Sequence, residues 1–309
     1  MFAKSRLFKR YGNWSTLLFV LCATLLCIWL LSLFKNNRKQ IETFVQRDKF
    51  VSKVGIDAFD SFYANIYDEL LFSEIKDKYE VEQIVNKTSP TQQSIILDIG
   101  SGTGHQCGAL AKKGMKVSGL DLSESMVAKA KKNYPDIDFR AGNVLDSIVF
   151  PAQSFTHILC LYFTIYQVEN KRQMLQNIYS WLMPGGHFVV HLVDRHNFDP
   201  IVPAASSLLI VSPQKYAEDR ITSSQVAFDS MDYKAEFKDE FDKNKAEFVE
   251  TFTDKESGHV RQNRHILYMP TQKAIIDMAK ECGFIVVSQS EMKEAGYDKQ
   301  YIYVLQKPQ

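Results

Sequence analysis

The run Ile95-Ile96-Leu97-Asp98-Ile99-Gly100-Ser101-Gly102-Thr103-Gly104 limits what this chain can fold into more than any other stretch. An apolar run closed by an acid and followed by a glycine-rich turn reads as a buried parallel strand feeding a tight loop. The glycines admit positive φ and a close approach to the backbone. Asp121 closes a second short apolar run, Val117-Ser118-Gly119-Leu120, about 20 residues further on. A carboxylate so placed accepts the hydroxyls of a ribose. The first expectation is therefore an adenosine-type ligand.

The glycine spacing separates the candidate ligands. The dinucleotide fingerprint G-x-G-x-x-G would need glycine where this chain has His105. That places a dehydrogenase a distant third among the readings. The spacing Asp98-x-Gly100-x-Gly102-x-Gly104, the run Gly119-Leu120-Asp121-Leu122-Ser123-Glu124-Ser125-Met126 and the turn Leu182-Met183-Pro184-Gly185-Gly186 occur in that order. Together they resemble the class I S-adenosylmethionine-dependent methyltransferases, over about Phe62 to Leu305. The resemblance implies an α/β fold with a seven-stranded, Rossmann-like, doubly wound sheet and S-adenosyl-L-methionine as cofactor. It implies cofactor contacts at Asp98, Gly100, Ser101, Gly102, Gly104, Asp121, Leu122, Met126, Gly142, Asn143, Val144 and Leu161. It also places Tyr67 near the methionine end. Two positions depart from the pattern. Asn143 stands where the family often has Asp, and its amide oxygen is expected to accept from the adenine amino group. The fourth strand opens Phe155-Thr156-His157 rather than Phe-Asp.

The element pattern agrees. Strands are predicted at 95–99, 116–120, 137–140, 155–161 and 187–193, with helices at 105–113, 123–133 and 170–181 between them. This βαβα alternation implies right-handed crossovers and a parallel sheet. A helix from Thr271 to Cys282, stopped by Gly283, and strands 284–288 and 301–305 complete the chain. Between the fifth strand and that helix lies an insertion, about 195–268. Its strand-like runs 232–241, 245–253 and 259–268 are expected to form a small antiparallel layer. Such a layer would cover an acceptor pocket or pair with another subunit.

Acceptor chemistry is expected at the carboxyl ends of the strands. Tyr162 is the leading acceptor-site residue. His191 and His196 are candidate bases, since an unperturbed imidazole titrates near 6.5. Tyr166, Asp194 and Arg195 fall in the same region. His265 faces either the cleft or the opposite side of its strand.

From Tyr11 to Phe34 no residue is charged. About 20 apolar residues span a hydrocarbon core of about 30 Å. Basic residues flank both ends, and Tyr11 and Trp14 suit an interfacial belt. The run is too long for a cleaved signal peptide. The expected organisation is a basic segment 1–14, a transmembrane helix 15–34, a polar and helical juxtamembrane linker 35–56 and a catalytic domain 57–309. Because the cofactor is cytosolic, that domain is expected on the cytosolic side of a single-pass protein. Thirty-seven basic against 36 acidic residues leave no global charge for nucleic acid. The five cysteines include no C-x-x-C pair, so neither a zinc site nor a disulfide framework is expected. The expected partners are the bilayer and a small-molecule, glycan or membrane-associated acceptor, methylated at oxygen or nitrogen. The alternative is a membrane-tethered scaffold that keeps the fold without catalysis.

Overall fold

The computed structural model describes residues 19–26, 46, 48–200 and 219–309. Residues 19–26 are helical, and the rest of the expected span 15–34 lies outside the described residues. Among the described residues no helix is long and apolar enough to cross a membrane. The chain divides into two units, Met1–Thr43 and Phe44–Gln309, and everything below concerns the second.

Two sheets organise this unit. The larger has seven strands: β2 (Ile95–Ile99), β3 (Lys116–Asp121), β4 (Asp138–Ala141), β5 (Phe155–Cys160), β6 (Leu182–Val193), β11 (Ile285–Glu291) and β12 (Gln300–Gln306), in the order β11-β12-β6-β5-β2-β3-β4. The β4-β3-β2-β5-β6 core is parallel, and β12 and β11 add to it antiparallel. The strand order reverses at β2, so the glycine loop leaves the sheet at the switch point where such folds bind ligands. β6 begins at Leu182, earlier than the expected 187. Its first residues pair with β5 across a register shift, and Gly185 in that turn takes φ +77°.

Local chemistry starts the helices where the sequence reading put them. Ser123 Oγ accepts the Met126 amide and caps the helix Glu124–Asn133. Thr271 caps Gln272–Glu281 by accepting from Ala274, and Gly283, at φ +104°, ends it. The helix α1 (Ser61–Leu71) is capped by Asp60 and buries Tyr63, Ile66 and Leu70.

The second sheet has the order β1-β10-β9-β8-β7, from β1 (Phe50–Val54), β7 (Ser223–Ala227), β8 (Met231–Glu240), β9 (Lys245–Asp254) and β10 (Val260–Tyr268). Three strands lie close to their expected runs. Two were not foreseen. β7 pairs with β8, and β1 runs parallel to β10. The expected helical linker 35–56 is thus corrected at its end. Phe50-Val51-Ser52-Lys53-Val54 alternates in exposure as an edge strand, because β10, some two hundred residues away, offers it a ladder. The domain accordingly begins before residue 57.

The insert is tied to the larger sheet by buried pairs. Arg195, at the end of β6, donates to Asp239 Oδ1 at 2.7 Å and Asn244 Oδ1 at 2.8 Å. Arg261 holds Asp60 at 2.9 Å, joining β10 to the cap of α1. Lys171 donates to the Tyr268 carbonyl at 2.6 Å. Arg195 therefore fastens the insert and does not open into a cleft.

Candidate active site

The loop after β2 is built by backbone hydrogen bonds. Gly100 N–H and Ser101 N–H both donate to the Leu120 carbonyl, at 2.7 and 3.2 Å. Asp121 Oδ2 accepts from Gly102 N–H at 2.9 Å and Oδ1 from Ser123 N–H at 2.8 Å. Each carboxylate oxygen keeps a further lone pair. Burial pushes the Asp121 carboxyl above its ordinary range, while these amides pull it back.

The three glycines of the loop have different reasons to be glycine. A Cβ on Gly100 would fall 2.3 Å from Thr164, and one on Gly104 would fall 2.7 Å from the Phe139 ring. Those two make room for protein. Gly102, at φ +53°, has only Tyr67 within 4 Å, at 3.9 Å. It is the glycine that presents open backbone to the cleft.

That cleft is about 1050 Å³ counted with its open mouth. Gly100, Gly102, Asp121, Leu122 and Met126 line it. Gly142, Asn143, Val144, Tyr67 and Tyr162 line it as well. Asp98, Ser101 and Leu161 border an adjoining polar pocket with Lys76, Glu80 and Gln106. Gly104 lines neither; it opens the helix His105–Ala111. Asn143 Oδ1 already accepts from Leu145 N–H at 2.9 Å, so its oxygen is partly committed where the sequence reading left it free for adenine.

The polar pocket is strongly charged. Lys76 Nζ lies 3.1 Å from Glu80 and 3.0 Å from Asp77. Burial pulls this ammonium down, but Glu80 and Asp77 outweigh burial and hold it above its usual value. Burial pushes Asp98 up to about 8. Ser101 Oγ, Glu80 Oε1 and Gln106 Oε1 are buried with no hydrogen-bond partner among the described residues. Buried acceptors left open in this way call for a donor.

A second cavity of about 530 Å³ is lined by Phe59, Tyr63, Phe163, Phe237, Phe248 and other apolar groups. Tyr67 and Tyr162 line all three spaces. Tyr162 sits at φ +52°, a conformation uncommon for a non-glycine residue. Lys76 Nζ lies 5.3 Å from its ring centroid. Such an outlier, held by its surroundings beside a cleft, is the kind found at functional sites.

The expected bases are not in the cleft. His191 is fully buried behind Tyr162, with ring centroids 6.3 Å apart, and lines none of the three spaces. Burial pushes its imidazole down to about 3, so it stays neutral. His196 is an exposed turn residue that also lines none of them. The Tyr166 hydroxyl is spent on accepting Val193 N–H at 2.8 Å. The imidazole that does line the cleft, and the apolar cavity as well, is His265. The sequence analysis left its direction open. The apolar residues Val260, Ile266 and Tyr268 lie on the half-exposed face of β10, and Arg261, Asn263 and His265 on the buried one with Leu267. Period-two reading for apolar burial thus favours the wrong face. In the β9–β10 register His265 stands opposite Phe248 and Glu250 opposite Asn263, so the pair is diagonal and no sequence pattern marks it.

Residues 96–186 match the family described as a methyltransferase domain. A demethylmenaquinone methyltransferase of Chlorobaculum parvum is 39% identical over 92 residues, which cover 29% of this chain and 37% of that protein. The chain thus spans little more than a third of this curated relative's length. Among solved structures, the CcbJ methyltransferase from Streptomyces caelestis superimposes with a TM-score of 0.62 at 17% identity, covering 82% of this chain and 98% of that one. The S-adenosylmethionine-bound CalS10, an amino pentose methyltransferase from Micromonospora echinaspora, reaches 0.54 at 16% identity, covering 75% and 90%. At these identities the likeness is one of fold.

Proposed function

We propose that this chain, a class I S-adenosylmethionine-dependent methyltransferase by its domain, transfers a methyl group to an acceptor held in the apolar cavity beneath the insert. The observation that carries this is the meeting of two unlike spaces at Tyr67 and Tyr162. One is the cleft at the switch point, which carries Asp121 and opens on the charged pocket; the other is walled by aromatic rings.

The polar side fits the cofactor. Asp121 would accept the ribose hydroxyls, and Gly102 would let the ligand lie against the backbone. The open acceptors Ser101, Glu80 and Gln106, with Asp98, suit an ammonium group, and Lys76 suits a carboxylate. When bound, S-adenosylmethionine supplies a methyl group on a positively charged sulfur, already activated for displacement. The protein's own part is positioning and exclusion of water. Tyr67 and Tyr162 place aromatic faces at the junction, where a sulfonium is favoured. Burial raises both hydroxyls above their ordinary values, so neither serves as a neutral-pH base.

The uncharged stretch 11–34 supports a second element of the reading, a single membrane anchor with the domain on the side that holds the cofactor. One experiment tests both. Membranes from cells making the full chain are washed with alkaline carbonate, then given S-adenosylmethionine carrying a labelled methyl group and lipid extract. The chain should stay in the pellet, and the label should enter a lipid-soluble product; the Gly102→Val variant should pellet but transfer nothing. Release of the chain by carbonate would remove the anchor. Equal transfer by the variant would remove the cofactor assignment.

A further inference from the structure

We propose that His265, oriented by Glu250, is the catalytic base of an O-methyl transfer, and that the acceptor is a neutral hydroxyl on an apolar ring. This rests on the reading above and names its substrate class.

His265 is only 5% exposed, yet lines both the cleft and the apolar cavity. Its Nε2 lies 2.7 Å from Glu250 Oε2. Glu250 is fully buried, and its other oxygen accepts from the Tyr233 hydroxyl at 2.8 Å. A buried carboxylate beside Nε2 selects the tautomer with hydrogen on Nε2, which leaves a lone pair on Nδ1. Nδ1 has no hydrogen-bond partner among the described residues. The ring is fixed by Phe59, at 4.9 Å between centroids, and by Tyr63, at 5.5 Å. The groups facing this pair are Tyr63 from α1, Tyr233 from β8 and the junction tyrosines. Burial and then Glu250 hold the Tyr63 and Tyr233 hydroxyls well above their ordinary range. Both remain neutral donors and leave the imidazole as the base.

The cavity decides the acceptor. Among the described residues lining it there is no carboxylate, lysine or arginine, and His265 is the one imidazole. Burying a charged ammonium there without a counter-ion is costly. A neutral amine attacks without first losing a proton, so it would leave the pair idle. A hydroxyl on an apolar ring fits the walls and needs the base. In the step, the hydroxyl oxygen forms its bond to the sulfonium methyl carbon as the carbon–sulfur bond breaks. The electron pair of the broken bond stays on sulfur, and the hydroxyl proton passes to His265 Nδ1. Glu250 stabilises the imidazolium so formed.

The test uses the full chain in detergent, with 4-butylphenol and 4-butylbenzylamine as matched probes. In cofactor-free protein labelled with 15N-histidine, the seven histidines are told apart with His265→Gln. His265 should show the Nε2–H tautomer, and 4-butylphenol should move its Nδ1 resonance while the amine does not. Glu250→Gln should turn the single tautomer into a mixture. With cofactor, label should enter the phenol. His265→Asn and His265→Gln should lower kcat by about 100-fold or more, as loss of a general base does, with KM and cofactor affinity within about threefold. Methylation of the amine in preference to the phenol, full turnover by either variant, or no response of His265 to the phenol would each overturn the proposal. Failure of the wild-type chain to bind S-adenosylmethionine would instead overturn the proposed function; the resonance measurement, made without cofactor, still decides the base.

Discussion

The parallel sheet and strand β10 of the insert bury their inward faces by different means. In the parallel sheet, Ile96, Leu97, Ile158, Leu159 and Val189 are fully buried apolar residues. The ligand-facing geometry there is set largely by amides and caps, with Asp121 pinning two amides. In the insert, the inward face of β10 carries Arg261, Asn263 and His265 beside Leu267, and β9 contributes Glu250. These polar groups are tolerated because they answer one another: Arg261 with Asp60 and Asn263, Glu250 with His265 and Tyr233. A site made of paired side chains specifies one chemistry and loses it with one residue. On the proposed function, cofactor binding belongs to the first region and acceptor choice to the second.

Three substitutions or titrations can break that division, in falling order of effect. A buried donor left unsatisfied costs about 1–3 kcal/mol, so Glu250→Ala, which strands His265 Nε2–H and the Tyr233 hydroxyl, should lower the unfolding free energy by about 2–6 kcal/mol in urea. Its affinity for S-adenosylmethionine, measured where the variant is folded, should barely change. A loss below about 1 kcal/mol, within the range of an exposed pair, would show that the insert does not depend on its polar pairs.

Asp121→Ala should act in the other region. It removes a charged acceptor and should weaken cofactor binding by about 1.5–3 kcal/mol in calorimetry. The insert's histidine tautomer should stay as it is. An unchanged dissociation constant would move the ribose away from β3.

The smallest effect is a pH dependence. Asp98, pushed up to about 8 by burial, carries a proton at neutral pH when no cation faces it. An ammonium bound beside it favours the carboxylate, so binding should release up to one proton. Affinity should then rise by up to about tenfold, 1.4 kcal/mol, per pH unit and level off above about 8. The same raised value means that the unliganded chain loses stability from this group as pH climbs from about 4 to 8. Calorimetry in buffers of different ionisation enthalpy measures the proton. Uptake instead of release would place the ammonium elsewhere.

Much of this was legible in the sequence, for a physical reason that differs by region. Strand β2, the glycine loop and Asp121 are read from neighbours within about 25 residues of chain, where φ requirements and helix caps act locally. Thr271 and Gly283 were readable in the same way. His191 and His196 were misjudged because position after a strand does not say whether Tyr162 stands in front of a ring or a turn carries it outward. β1 was missed because five residues of edge strand have no periodic length of their own; their ladder comes from β10.

The sequence by itself therefore determined the parallel sheet, the loop at its switch point, the acid at the end of β3 and the three main strands of the insert. Each depends on backbone conformation and on apolar periodicity along a few turns or strands. Tertiary structure alone decided which imidazole faces the cleft. Glu250 and His265 are 15 residues apart, and His265 is on a strand whose apolar residues lie mostly on the other face. Only when β9 and β10 pair, and α1 closes over them, do Glu250 and His265 meet as a buried hydrogen-bonded pair.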